Sequence, residues 1–360
     1  FTSVKKILIV VGARPNFMKV APLMRALKNN GGFETILVHT GQHYDKKMSE
    51  VFFNDLEIPQ PDFNLNVGSG THSIQTARIM EKFEDVCLQS NPDLVIVVGD
   101  VNSTMACAIV AKKLHIKVAH IEAGLRSNDR DMPEEINRLV TDSISDYFFV
   151  TEESGESNLL KEGHCESKIF FSGNLMIDSL HFGLGKISGD NAPTEEEYGL
   201  ITLHRPSNVD NIENLRSILD GLSDIANSIK LLFSIHPRTK NNIVSNNIDL
   251  SENIVIMDSL PYLEFLNVMK NAKVIFTDSG GIQEESTVLK IPCYTLRENT
   301  ERPITISQGT NRLISPNRES IINSFNNYRF NINSNYNLPE GWDGKASERI
   351  VKFLDKIIRR

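Results

Sequence analysis

The ten residues from Phe276 to Glu285, Phe-Thr-Asp-Ser-Gly-Gly-Ile-Gln-Glu-Glu, are of the types that hold a phosphorylated ligand. They follow the apolar stretch Val274-Ile275-Phe276, turn through Asp278, Ser279, Gly280 and Gly281, and enter an expected helix. The N–H groups and positive dipole end of such a turn suit a phosphate. Glycine lets the ligand approach closely because no Cβ intervenes. Glu285 falls about one turn into the helix, where a carboxylate can take both hydroxyls of a ribose. These features read as a nucleoside-diphosphate site. The competing reading is a plain strand-to-helix turn capped by Ser or Asp.

Cations stand at neighbouring strand ends. His204-Arg205 and His236-Pro237-Arg238 each close an expected strand, and Arg302 follows the last one. Arginine presents a fork that matches diphosphate oxygens. His204 suits either a diphosphate ligand or a proton donor to a leaving phosphate. Two histidines without a third ligand at a recognisable spacing do not make a metal site. The N-terminal half supplies carboxylates: Asp100 after the apolar run 95–98, Glu122 after Ala119-His120-Ile121, and Glu134 and Glu135 behind Pro133. Arg14 and Lys19 lie in the first loop and helix. Carboxylates sharing one partly desolvated cleft divide into acid and base roles. Alternatively, Asp100 and Glu122 cap helices, and Glu134 or Glu135 pairs with Arg138 at helical spacing. The first loop, Gly12 to Phe17, is neither a dinucleotide fingerprint nor a P-loop. A nucleotide is therefore expected mainly against the second half.

The elements that must position these residues alternate between strand and helix. The continuous apolar run 7–11 reads as a strand covered on both faces, and largely apolar stretches at 35–38, 93–98, 118–121, 147–150 and 169–171 read as further strands, with helical patterns between them. A second series follows at 199–203, 231–235, 254–257, 274–276 and 292–296, with an irregular or weakly helical region at 317–337 and a closing helix at 344–358. This alternation implies an α/β chain with two doubly wound, Rossmann-like parallel sheets. Domains are expected at 1–175, joined by the closing helix 344–360, and at 176–343. Ligands of such sheets bind outside the strand C-termini, where the titratable residues cluster, so a cleft between two lobes is expected.

At 360 residues, 40% apolar and 23% charged, the chain has the profile of a soluble globular protein. A net charge of −8 without a long basic run argues against nucleic acid as partner. No apolar run spans a bilayer, and with no basic-then-apolar pattern in the first residues a protein without a signal segment is expected. Four dispersed cysteines, none in a Cys-x-x-Cys, suit a reducing, cytoplasmic compartment.

These residues taken in order resemble the non-hydrolysing UDP-N-acetylglucosamine 2-epimerases. The resemblance rests on Gly12 to Lys19, Gly41-Gln42-His43, Gly99-Asp100, Glu122-Ala123-Gly124-Leu125-Arg126, 133–138, Thr202 to Arg205, 277–285 and Thr300 to Pro303. It implies the glycosyltransferase-B architecture, with two Rossmann-like domains facing across a cleft and a last helix that returns to the first. It also implies inversion at C2 of UDP-GlcNAc to UDP-ManNAc, through elimination of UDP to 2-acetamidoglucal and re-addition, without metal or nicotinamide. By matching positions, Asp100, Glu122 and Glu134 form the acid/base group and His204 assists UDP departure. Arg14, Lys19 and Arg205 lie at the ligand, Ser279-Gly280-Gly281 and Arg302 at the phosphates, Glu285 at the ribose, and Leu260 and Phe265 at the uracil. A homodimer serving surface polysaccharide synthesis is the family expectation. The sequence departs from well-known bacterial members at 206–210 and 44–47, the latter near a region that some members use for an activating second substrate. The alternatives are a glycosyltransferase of the same architecture, a hydrolysing epimerase, an epimerase of UDP-2,3-diacetamido sugars and, outside enzymes, a two-lobed binding protein of the periplasmic type, against which the clustered carboxylates argue.

Overall fold

In the computed structural model the described residues are 4–41, 53–187, 189 and 192–358, without the side chain of Arg14. Gln42, His43 and residues 44–47 lie outside them. The chain forms two compact units, one of residues 1–182 with 340–360 and one of 183–339.

The first unit is built on a seven-stranded parallel sheet. Its strands are β1 (Lys5–Val11), β2 (Phe33–His39), β3 (Phe63–Asn64), β4 (Leu94–Val98), β5 (Lys117–Ile121), β6 (Tyr147–Val150) and β7 (Ile169–Phe171), in spatial order 3-2-1-4-5-6-7. β4 is Leu-Val-Ile-Val-Val and buried along its whole length, as a central strand with helices on both faces must be. The second unit has a six-stranded parallel sheet of β8 (Tyr198–Thr202), β9 (Lys230–Ser234), β10 (Ile254–Met257), β11 (Val274–Thr277), β12 (Cys293–Leu296) and β13 (Asn311–Ile314), in order 10-9-8-11-12-13. Both sheets are therefore doubly wound. The chain reverses direction across the sheet between β1 and β4 in one unit and between β8 and β11 in the other, and crevices at such switch points are where open α/β sheets take ligands.

Two expectations change. The region 317–337 contains a regular helix, Arg318–Tyr328, started by the Asn317 side chain accepting from the Ser320 N–H. It buries Ile321 and Phe325 against the core of the second unit. The short strands β3 and β13 were not expected. β13 reads Asn-Arg-Leu-Ile and is only partly apolar, so ladder pairing with β12 rather than its own hydropathy defines it.

The last helix, Ala346–Ile358, belongs to the first unit. It buries Ile350, Val351 and Leu354 on one face. Its first turn is held by Asp178, from helix Leu175–Lys186, which accepts the N–H groups of Ala346 and Ser347 and the Ser347 hydroxyl at 3.0, 2.8 and 2.6 Å. A carboxylate supplied from another helix thus does the work of an N-cap. Asp178→Ala should lower the unfolding free energy by about 1–3 kcal/mol. Urea denaturation checks this; an unchanged midpoint would mean that the apolar face alone holds the helix.

Candidate active site

In the first unit the candidate side chains stand at the exits of β4 and β5. Val98 lies opposite Ile121, so Gly99-Asp100 and Glu122 leave adjacent strands side by side. The helix Arg14–Asn30 follows β1 after a two-residue loop and carries Asn16 and Lys19 toward these exits. Asn16 accepts the N–H groups of Gly12 and Ala13 and donates to the Val98 carbonyl, which ties the first loop to the end of β4. Lys19 Nζ reaches Glu122 Oε2 at 2.6 Å, and both side chains are buried. Asp100 Oδ2 accepts from Nε and Nη2 of Arg138 at 3.1 and 2.8 Å. Arg138 Nη1 also bonds Glu135, whose carboxylate takes the N–H groups of Ser127 and Asn128.

The capping alternative therefore fails for both carboxylates. The helix after β4 has Val101 at its N-cap with no side-chain bond, and Asp100 and Glu122 each face a cation instead. Of the two candidates to pair with Arg138, Glu135 does so, one turn along helix Pro133–Ile144; Glu134 sits exposed on the first turn. Glu122 adopts φ +71°, unusual for a residue with a long side chain, and Gly124 follows at +78°. A Cβ on Gly124 would lie 2.2 Å from the Gly155 carbonyl oxygen, so only glycine lets this loop close onto the helix Glu153–Lys161.

In the second unit the site gathers at the switch point. Asp278, at the end of β11, is fully buried and turns away from its own helix toward the end of β8. Its carboxylate accepts the N–H groups of His204 and Arg205 and the Asn208 amide, and its carbonyl accepts from Arg205 Nε. The His204 ring approaches the same carboxylate at 3.1 Å and is about half exposed. Asp278 is thus the residue that shapes the His204-Arg205 loop. Its backbone role escapes a sequence reading because it lies 74 residues from His204.

The helix Gly280–Leu289 begins at Ser279, whose side chain makes no capping bond. The turn is consequently not the Ser- or Asp-capped junction of the competing reading, and no side chain of Ser279 competes for the first N–H groups. Arg302 lies beside it, 3.5 Å from where a Gly280 Cβ would stand. Its guanidinium is buried against two carboxylates, Nε to Glu284 at 2.5 Å and Nη1 to Glu301 at 2.7 Å. Arg297 pairs with the other oxygen of Glu301. Glu285, on the same helix, is buried and accepts from the Tyr262 hydroxyl at 3.1 Å. Burial pushes its carboxyl up to about 8, with the Glu284 charge adding to the shift and the Tyr262 bond opposing it. Tyr262 opens the helix Tyr262–Lys270, which also carries the half-buried Phe265, five residues beyond the half-buried Leu260. Sequence reasoning did not single out Tyr262, Glu284 or Glu301; Tyr262 and Glu284 act through partners 23 and 18 residues away, while Glu301 pairs with its neighbours Arg302 and Arg297. His236 caps the helix Pro237–Ser245 by accepting the Arg238 N–H, and burial together with the charges of His204 and Arg238 lowers its pKa. Among the described residues no group of three or more His, Cys, Asp or Glu side chains is arranged to hold a metal ion.

Two doubly wound parallel sheets with polar residues at both switch points define a glycosyltransferase-B-like α/β protein. The sequence profile of the UDP-N-acetylglucosamine 2-epimerases matches residues 25–355, and the chain belongs to that family. It is 44% identical to the UDP-N-acetylglucosamine 2-epimerase of Methanocaldococcus jannaschii, over 97% of this chain and 98% of that protein. It is 39% identical to the UDP-2,3-diacetamido-2,3-dideoxy-D-glucuronate 2-epimerase of Pseudomonas aeruginosa, over 98% and 100%. A crystal structure of the M. jannaschii enzyme in complex with UDP-GlcNAc and UDP superposes with a TM-score of 0.87 at 43% identity, covering 98% of this chain and 99% of that one. Among the described residues no helix is long and apolar enough to cross a membrane.

The buried Glu285 makes stability depend on pH. Its folded pKa, about 8, lies above the unfolded value of 4.5, so its contribution is fully present below 4.5 and is lost as pH rises toward 8. Glu285→Gln should remove that loss: between pH 5 and pH 8 the variant should lose less stability than the parent, by on the order of a few kcal/mol. Urea unfolding at the two pH values measures it, and equal losses would show that Glu285 ionises freely in the fold.

Proposed function

We propose that this protein is a UDP-N-acetylglucosamine 2-epimerase that interconverts UDP-GlcNAc and UDP-ManNAc by eliminating and re-adding UDP. The strongest support is the pair of carboxylates at adjacent strand exits, Glu122 against Lys19 and Asp100 against Arg138, in a chain of this family. A base removes the C2 proton. The C1–O bond breaks as C1=C2 forms, and UDP leaves with the bonding electrons. A proton then returns to C2 from the opposite face while a UDP oxygen attacks C1. Atoms and charge balance without an oxidant.

The C2 proton is weakly acidic, so its removal needs a held base and stabilisation of the leaving group. We assign the two proton transfers to the group Asp100, Glu122 and Glu134. Lys19 and Arg14 contact the sugar or UDP. In the second unit, the N–H groups of Ser279, Gly280 and Gly281 with Arg205 and Arg302 receive the diphosphate, and His204 assists UDP departure. Glu285 takes the ribose hydroxyls, and the Leu260 backbone and Phe265 hold the uracil. Buried Arg302 keeps one face toward the turn while Glu284 and Glu301 fix its position. A homodimeric state and a role in polysaccharide synthesis rest on the family. Four unpaired cysteines suit a cytoplasmic enzyme.

A second reading, epimerisation of a UDP-2,3-diacetamido sugar, is favoured by the P. aeruginosa relative, which matches end to end. Proton NMR in D2O separates the two. With UDP-GlcNAc alone, deuterium should appear at C2 together with UDP-ManNAc signals. Turnover of only a diacetamido substrate would establish the second reading, and release of free sugar would overturn both. Asp100→Asn should reduce turnover by about 100-fold or more while UDP still binds; retained turnover would remove Asp100 from the chemistry.

A further inference from the structure

Behind the two strand exits lies a histidine that no proposed step uses. His120, on β5, is completely buried. Its Nε2 lies 2.7 Å from the carbonyl oxygen of Gly99, the residue before Asp100. Its Nδ1 lies 2.6 Å from Asp142 Oδ1. The second oxygen of Asp142 takes the Gly124 N–H at 3.0 Å and Arg126 Nη2 at 2.8 Å. Arg126 in turn forms a bidentate pair with Glu162. One ring therefore reaches the backbone beside Asp100 directly and the backbone beyond Glu122 through Asp142.

The partners dictate the protons on the ring. A carbonyl oxygen only accepts, so Nε2 carries hydrogen. Burial opposes the charge on Asp142, yet its carboxyl stays below its usual range, and two of its partners, the Arg126 guanidinium and the Gly124 N–H, favour the ionised form whatever the state of the ring. An ionised carboxylate also only accepts, so Nδ1 carries hydrogen as well. The ionisable groups facing the ring are Asp142 directly and Arg126 through it.

We propose that His120 is a buried imidazolium, and that with Asp142 it is the positioning unit that sets the two carboxylate-bearing loops at the exits of β4 and β5. Glu122 has a positive φ, which a residue with a side chain keeps only where its surroundings hold it, and the flanking glycines Gly99 and Gly124 also have positive φ, which leaves these loops to be fixed by their hydrogen bonds. The anchors are a charged N–H at Gly99 and a charged carboxylate at Gly124. A neutral histidine supplies only one donor and has to surrender one of them. Charge-assisted bonds of this kind are short and directional, which suits a site where an error of a fraction of an ångström slows proton transfer.

This inference rests on the proton-transfer roles assigned to Asp100 and Glu122, and two measurements keep it separable from them. Histidine-labelled 15N NMR of the whole protein at neutral pH reads the ring without any substrate. It should show one histidine with both N–H groups protected from exchange, unlike His39, the other buried ring among the described residues, which burial lowers to about 4 and keeps neutral. If no histidine shows two protected N–H groups, the proposal fails whatever the substrate proves to be. Asp142→Asn keeps the shape, turns an amide N–H toward Nδ1 and leaves the ring neutral with its bond to Gly99. It should lower kcat by about 10- to 100-fold. The UDP dissociation constant should stay within about twofold. An unchanged kcat, or a parallel loss of UDP binding, would overturn the positioning role. If the natural protein itself fails to turn over a UDP-sugar, the functional reading fails while the NMR result still decides the state of His120.

Discussion

A carboxylate at the buried end of a parallel strand has to find donors before the sheet around it can close. Leaving one partner of a buried ion pair alone costs about 3–5 kcal/mol, a large part of a domain's net stability. Much of the irregular structure in this protein answers that demand. The first helix is drawn onto β4 and β5 by Lys19 against Glu122, and helix Pro133–Ile144 is drawn onto the same edge by Arg138 against Asp100. The loops are shaped by the same requirement, because Glu135 and Asp142 consume the N–H groups of Ser127, Asn128 and Gly124.

The second unit meets the demand differently, and the contrast separates two kinds of carboxylate. Asp278 is satisfied by fixed donors from the His204-Arg205 loop and Asn208, so it serves the architecture of the turn. Glu285 is also buried, accepts from the Tyr262 hydroxyl as its side-chain donor among the described residues, and its carboxyl is pushed up to about 8. A group left short of donors in the free protein gains most from a ligand that brings hydroxyls. Arg302 combines the two kinds: two carboxylates hold it, yet it stands at the start of the helix where an anion is best received. In the proposed reaction, rigid placement of such a cation before the ligand arrives would lower the reorganisation that departure of UDP requires.

Much of this was legible in the chain itself. Alternating apolar runs with helical patterns dictated two doubly wound sheets, because a strand buried on both faces reads differently from one half exposed. The titratable residues at strand exits were visible for the same reason, since each interrupts an apolar run at its end. Misses came where identity depends on a neighbour. β13 is barely apolar and exists by pairing with β12; helix Arg318–Tyr328 lies in an Asn-rich stretch and is held by Ile321 and Phe325 in the core.

What the sequence determined alone was the inventory and its order: strands, exits, a glycine-rich turn, and the carboxylates and cations that chemistry would need. Only the tertiary structure decided which of them meet. Glu135 rather than Glu134 takes Arg138, because a helix presents one of two adjacent residues to the sheet and the other to solvent. Asp278 serves His204, and His120 reaches Gly99 and Asp142, across 74, 21 and 22 residues of chain. Local spacing cannot encode such pairings, since they depend on which strands lie side by side and on where each is cut short.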